Sequence, residues 1–253
     1  GALFALRIVL RTWDIRAVLT ALLTSGLAVL VAAPFISDGP ALHWPNPQLS
    51  YLLTGVVVLL APLTLGVAMA FSALMRRARS RAAERGPHDT WRLIPALAAA
   101  GLLVGLCSYE LPELPGNCSS VLLISVEREL SITAAAALLL LKPLLTAAFL
   151  RAGAVGGLIT PALATGATLG AVIALAVNTW TPLHLNVPAV ALACAAAVLA
   201  ITQGAPGWAA IFVWELANPP LWLLAVFGAA AFSAHLLHRK LTSAPRRRAA
   251  SGL

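Results

Sequence analysis

The chemistry open to this chain is concentrated between Arg151 and Gly170, RAGAVGGLITPALATGATLG, where a glycine-rich break interrupts one apolar segment and Pro161 opens the next. A break at membrane depth exposes backbone N–H groups that lipid cannot satisfy. It survives only where protein buries it or where it lines a watery path. A helix starting near Ile159 presents N–H groups without intrahelical acceptors at the positive end of its macrodipole. Such a terminus suits an anion. Gly153, Gly156 and Gly157 let the backbone turn sharply and approach a ligand closely. Pro161 suits the first helical turn, where its missing N–H would be unpaired anyway. Partial charge holds an anion weakly enough to release it. The same pattern also describes a tight helical hairpin with no ligand.

Lys142, followed by Pro143, stands in the middle of the apolar run Leu130 to Leu150. Burying such a cation in a membrane segment costs about 2.5–3.5 kcal/mol on the translocon scale, which makes a functional role the default hypothesis. Snorkelling or a structural ion pair is the alternative. Cys107, Cys118 and Cys194 are far apart and form no CxxC pair. They support neither a disulfide framework nor a metal site, and read as small buried hydrophobes. His43, His88, His184, His235 and His238 fall mostly in loops or at helix ends, and no GxSxG, HExxH or GxGD pattern is present. An intramembrane enzyme would need paired acids, or a nucleophile with its base, at membrane depth. The expectation is therefore no enzyme, no metal and no cofactor.

The elements that must position these residues are membrane helices. Of 253 residues, 60% are hydrophobic and 10% charged, and the mean hydropathy is +0.90. That composition lies outside the range of a soluble domain. A span of hydrocarbon takes roughly 20 residues. Apolar runs recur at Ala17 to Phe35, Tyr51 to Met75, Leu93 to Cys107, Leu130 to Leu150, Pro161 to Val177, Pro188 to Thr202 and Leu221 to Leu237. Several are short or interrupted, as in transporters that build sites from discontinuous helices. Pro62 is expected to kink the second run. Gly101 and Gly105 have the GxxxG spacing of a close helix contact, and Trp13 reads as an interfacial anchor. The stretch VLLISVERELS is too charged, at Glu127, Arg128 and Glu129, to face lipid.

The net charge of +8 is not spread over a soluble face, so nucleic acid is not an expected partner. Arg76, Arg77, Arg79, Arg81, Arg85 and Arg92 follow the second run, and Arg239, Lys240, Arg246, Arg247 and Arg248 crowd the C-terminus. The positive-inside rule places both clusters in the cytoplasm. Ile36 to Ser50 carries Asp38 and no Lys or Arg, and fits the outside. Anionic lipid is a further possible ligand of the basic runs. The chain starts at Gly1, within the apolar decamer GALFALRIVL, and is read as part of a longer protein.

GGLITPALATGATLG resembles the GGxFxP segment and following helix of the CLC chloride channels and chloride/proton antiporters. LPELPGNCSSVL, LKPLLTAAFLRAG and GAPGWAAIFVWEL resemble the neighbouring segments of that family, in the same order and spacing. The resemblance runs from Gly1 to about Leu241. It implies an all-α polytopic fold of tilted, discontinuous helices, specifically the second inverted repeat with the end of the first, followed by a basic cytoplasmic tail over 242–253. It implies transport of chloride or a similar small anion across the bilayer, in a multi-pass protein of the plasma (inner) membrane. The implied anion site is Gly156, Gly157, Leu158, Ile159 and Pro161, with the backbone amides of Leu158 and Ile159 as donors. It also implies a homodimer, with interface helices at about Gly1 to Leu30 and Pro206 to Leu237. Glu215 matches a late glutamate and is expected in structural pairing or a cap.

The departures are specific. The family's GSGIP-like and GKEGP-like segments are absent. Arg7 and Ile8 stand near its proton-relay glutamate, so anion transport without tight proton coupling is expected. Leu241 to Ser243 occupies the region of its pore tyrosine, and Ile159 replaces an aromatic. A fluoride-selective or divergent relative, or a non-conducting fragment retaining dimer surfaces, are the other readings.

Overall fold

The computed structural model describes residues 6, 14–32, 34, 51–83, 90–115 and 131–250. Several expectations lie outside these residues: Arg7 and Ile8, the anchor Trp13, the outer loop at Ile36 to Ser50, Arg85, Cys118, and the charged stretch at Glu127, Arg128 and Glu129. The side chains of Arg92 and Arg246 to Arg248 lie outside them too.

Every regular segment among the described residues is helical, with α1 at Ile15–Ala32, α2 at Tyr51–Leu59, α3 at Ala61–Ala83, α4 at Thr90–Glu110, α5 at Ile132–Arg151, α6 at Ile159–Trp180, α7 at Val187–Gln203, α8 at Pro206–Ala217 and α9 at Trp222–Ala250. Helices α1, α5 and α6, with Leu93–Glu110 of α4, are long and apolar enough to cross a membrane. Helices α2 and α3 pass the same test together, bent by 46° at Leu60. The chain is a multi-pass membrane protein. The kink expected at Pro62 is this bend, since Pro62 has no N–H to offer the carbonyl of Val58. The ladder closes on both sides of it, with Leu60 N–H donating to Val56 O at 3.0 Å and Thr64 N–H to Leu60 O at 2.9 Å.

Helix α7 is the central post. All its residues from Pro188 to Ile201 are buried, as befits a helix that is apolar on every side. Its ends are fixed locally. The Asn186 side chain accepts the Ala189 N–H at 2.9 Å, a conventional N-cap, and Gly204 closes the other end with φ 67°. Around it stand α3, α6, α8 and α9. Lipid offers no hydrophobic drive between helices, so their association rests on close van der Waals packing of small residues. Gly166 and Gly170 of α6 supply it. A Cβ on Gly166 would lie 2.6 Å from Ala195 Cα, and one on Gly170 would lie 2.6 Å from Ala191 Cα. Because Gly166 meets Ala195 and Gly170 meets Ala191, α6 and α7 run antiparallel.

The GxxxG pair at Gly101 and Gly105 behaves differently. A Cβ at either position would meet nothing within 4 Å, so the contact expected there is not made among the described residues. Helix α1 is similarly bare, with only Ala21 buried. Cys194 is buried and Cys107 half-buried, both as free thiols.

Candidate anion site

The site is built at the turn between α5 and α6. Helix α5 starts at Ser131, whose hydroxyl accepts the Ala134 N–H at 3.1 Å, and ends in a Schellman closure. Gly153 takes φ 100°, its N–H donates to Leu150 O at 3.1 Å, and the Ala154 N–H donates to Phe149 O at 3.0 Å. These bonds satisfy carbonyls the helix end would otherwise leave open. A Cβ on Gly153 would also collide with the Leu93 side chain from α4. The sharp turn is therefore the work of Gly153 alone. Gly156 and Gly157 are not in the left-handed region, and a Cβ on either would meet nothing within 4 Å. They are exposed backbone beside open space.

Helix α6 begins at Ile159, as the sequence suggests, after Leu158 at φ −103° and ψ 1° with no side-chain cap. Its first return bond runs from Ala162 N–H to Leu158 O at 3.1 Å. The amide of Ile159 falls before that bond, in the part of the helix where no intrahelical acceptor exists, and Pro161 has no N–H to leave open. Thr165 and Thr168 are buried on α6 but satisfied locally. Their hydroxyls donate to Pro161 O at 2.7 Å and Ala164 O at 2.8 Å, the i−4 bonding available to such residues.

Two cavities meet the break. One of about 540 Å³ is lined by Gly157, Thr160 and Pro161 on one side and by Lys142, Thr146 and Phe149 of α5 on the other. A second of about 250 Å³ lies against Gly153 to Gly156, with Arg79 of α3 on its wall. Leu158 and Ile159 are half-buried and their side chains pack against the hydrophobic core. The five site residues expected from the sequence therefore separate: Gly157 and Pro161 line the larger cavity and Gly156 the smaller one, while Leu158 and Ile159 lie between these contributions with their side chains turned to protein.

Lys142 does not snorkel to water. It is 8% exposed, and its Nζ donates to the carbonyl of Leu114, just beyond α4, at 2.7 Å. The sequence marks Arg79 as one of a basic run that sets topology or meets anionic lipid, not as a neighbour of the glycine break. The Arg79 Nη2 lies 3.5 Å from the Gly156 carbonyl, at a separation of 77 residues, and no local pattern reports such a contact. Its guanidinium also sits near the C-terminus of α5, where the helix dipole favours a cation. Glu215, expected in a structural pair or cap, is exposed on α8. No salt bridge to it is found among the described residues, so that pairing is not made there. No cluster of His, Cys, Asp or Glu suited to a metal ion occurs among the described residues.

A family model described as voltage gated chloride channel matches residues 1–241. The chain belongs to the CLC family. A ClcB-like chloride channel protein of Ralstonia nicotianae is 30% identical to it over 225 residues, covering 85% of this chain and 50% of that protein. Two solved CLC structures share the fold. One, a CLC-type fluoride/proton antiporter, has a TM-score of 0.67 at 21% identity and covers 92% of this chain and 56% of its own. The other, a slow cyanobacterial Cl−/H+ antiporter, has a TM-score of 0.69 at 17% identity over 93% of this chain and 56% of its own. The chain thus spans about half the length of the CLC proteins it matches.

Proposed function

We propose that this chain supplies one wall of a CLC-type anion pathway, with the start of α6 facing chloride or a similar small anion. The observation that carries the reading is the N-terminus of α6, which the Leu158 side chain does not cap, preceded by exposed glycine backbone where, among the described residues, a Cβ on Gly156 or Gly157 would meet nothing within 4 Å. Backbone N–H groups and the helix dipole attract an anion there. They do so without the tight grip of a full charge in direct contact, which permits release. In this reading Leu158 and Ile159 donate, Gly156, Gly157 and Pro161 shape the passage, and the rest of the coordination comes from other CLC segments. Residues 1–241 form the transmembrane region and 242–253 a basic cytoplasmic tail. The arginine-rich end of α3 faces the cytoplasm of an inner-membrane protein. Two copies pair through α1 and the α8–α9 region, whose exposed apolar side chains, such as Leu22, Leu23 and Leu221, suit either a partner or lipid.

The test is anion flux from liposomes containing the full-length protein. Gly157→Leu is expected to lower chloride efflux at least about tenfold by filling the space beside the site, an effect of about 1.4 kcal/mol on the barrier, while expression and monodispersity hold. Unchanged flux would remove the loop from the pathway. Fluoride, named for one of the similar structures, is run beside chloride in the same assay.

A further inference from the structure

We infer that Arg79 is a positioning residue for the anion. By holding the Gly156 carbonyl it turns the Gly156–Gly157 peptide so that the Gly157 N–H, and not a carbonyl oxygen, faces the cavity before α6. The inference rests on the anion-transport reading above and adds one backbone donor to it.

A trans peptide is planar, so its C=O and its N–H point to opposite sides. The Gly156 carbonyl is on the side of the smaller cavity: Arg79 Nη2 lies 3.5 Å from its oxygen, and both residues line that cavity. The N–H of the same peptide belongs to Gly157 and is therefore aimed away from Arg79. Gly157 lines the larger cavity with Thr160 and Pro161, and its N–H makes no backbone hydrogen bond among the described residues. Nothing described on the N–H side holds the peptide in place.

Glycine on both sides makes this peptide easy to turn over. A flip changes ψ at Gly156 and φ at Gly157 together and carries φ at Gly157 towards positive values, which glycine adopts as readily as negative ones. In the structure Gly157 is not in that region. The flipped peptide would turn the partial negative charge of the Gly156 oxygen towards the anion. The guanidinium opposes the flip. Although 3.5 Å is long for a hydrogen bond, a cationic donor strengthens the attraction for the carbonyl, and Arg79 makes no other hydrogen bond among the described residues. The plain alternative is that Arg79 serves only topology, with the other basic residues at the end of α3. Arg77 is the contrast, exposed on the same helix and absent from the walls of both cavities.

The test measures chloride binding to the full-length protein in detergent by isothermal titration. Arg79→Met removes charge and donors from an exposed position, and is expected to weaken chloride binding about tenfold with the thermal midpoint unchanged. Arg77→Met removes an equal charge and should stay within about twofold of the wild type, because exposed charges at a distance are screened. The deciding measurement repeats Arg79→Met in a Gly157→Ala background. Alanine resists positive φ, and so opposes the flip when Arg79 is gone. Whatever Gly157→Ala does to binding by itself, the added penalty of Arg79→Met should shrink there to about twofold or less, a non-additivity that independent sites do not show. An equal penalty in both backgrounds would overturn the inference. Equal losses from Arg79→Met and Arg77→Met would overturn it too, as a general charge effect, and so would a thermal midpoint that falls with the affinity. A wild-type protein that neither binds nor moves chloride overturns the transport reading and this inference together. Normal wild-type binding and flux with an unaffected Arg79→Met overturns the inference alone.

Discussion

Two glycine pairs on the same stretch of chain serve opposite ends. Gly166 and Gly170 are pressed against the backbone of α7, so their missing side chains let two helices approach. A Cβ on Gly156 or Gly157 would meet nothing within 4 Å among the described residues. In the first pair smallness is demanded by the protein. In the second the fold makes no such demand within the described residues, and the space they leave is available to a visitor. Glycine content alone does not separate these cases. What separates them is the identity of the atoms a Cβ would meet.

Substitutions can break that comparison, and the largest effect is expected at the packed pair. Gly166→Val would set a branched side chain against Ala195 Cα and the Cys194 carbonyl oxygen, each 2.6 Å from the Cβ position. Backbone cannot rotate aside as a flexible side chain can, so α6 and α7 must part. A loss of about 3 kcal/mol is expected from such overpacking, read as a lower thermal midpoint and a broadened size-exclusion profile in detergent. A variant as stable as the wild type would mean that the two helices do not meet as described. Gly153→Ala comes next. It forces a side chain into φ 100° and against Leu93, and should cost about 1–3 kcal/mol, the usual range for a strained backbone position. The smallest effect is expected at Gly156→Ala, within about 0.5 kcal/mol of the wild type. A large loss there would erase the distinction between the two pairs, and would place Gly156 among residues the fold requires.

How far the sequence carries the reader depends on the range of the interaction concerned. The beginning of α6 at Ile159 was legible because its determinants are local: a glycine break, then a proline where an N–H would be idle. The bend at Leu60 was legible for the same reason, through Pro62. The roles of the glycines were less so. The GxxxG spacing at Gly101 and Gly105 states that a face is flat, not that another helix lies on it, and Gly166 and Gly170 carry the same spacing with the contact made. Helix α8 escaped the count of apolar runs because its 12 residues fall short of a full span. Glu215 was expected in a structural pair or a cap, and is exposed on α8 with no ion pair among the described residues. Arg79 could not have been linked to Gly156 from spacing, since α4 and α5 intervene in the chain. Lys142 was visible as a charge in the wrong solvent, but which of its possible roles it had depended on a carbonyl after α4 and on a cavity wall contributed by α6.

The alanine-rich surface of α7 has a consequence for how this protein can change over generations. Ala189, Ala191, Ala193, Ala195, Ala196, Ala197 and Ala200 are all essentially inaccessible, and helices stand on several sides of them at once. A larger residue at one of these positions requires a simultaneous reduction on a facing helix, so α7 is expected to drift only in concert with its neighbours. Paired substitutions between positions 166 or 170 and positions 190–195 would be the inheritable trace of that constraint, and an alignment of close relatives would record the distance between α6 and α7 as a correlation between columns.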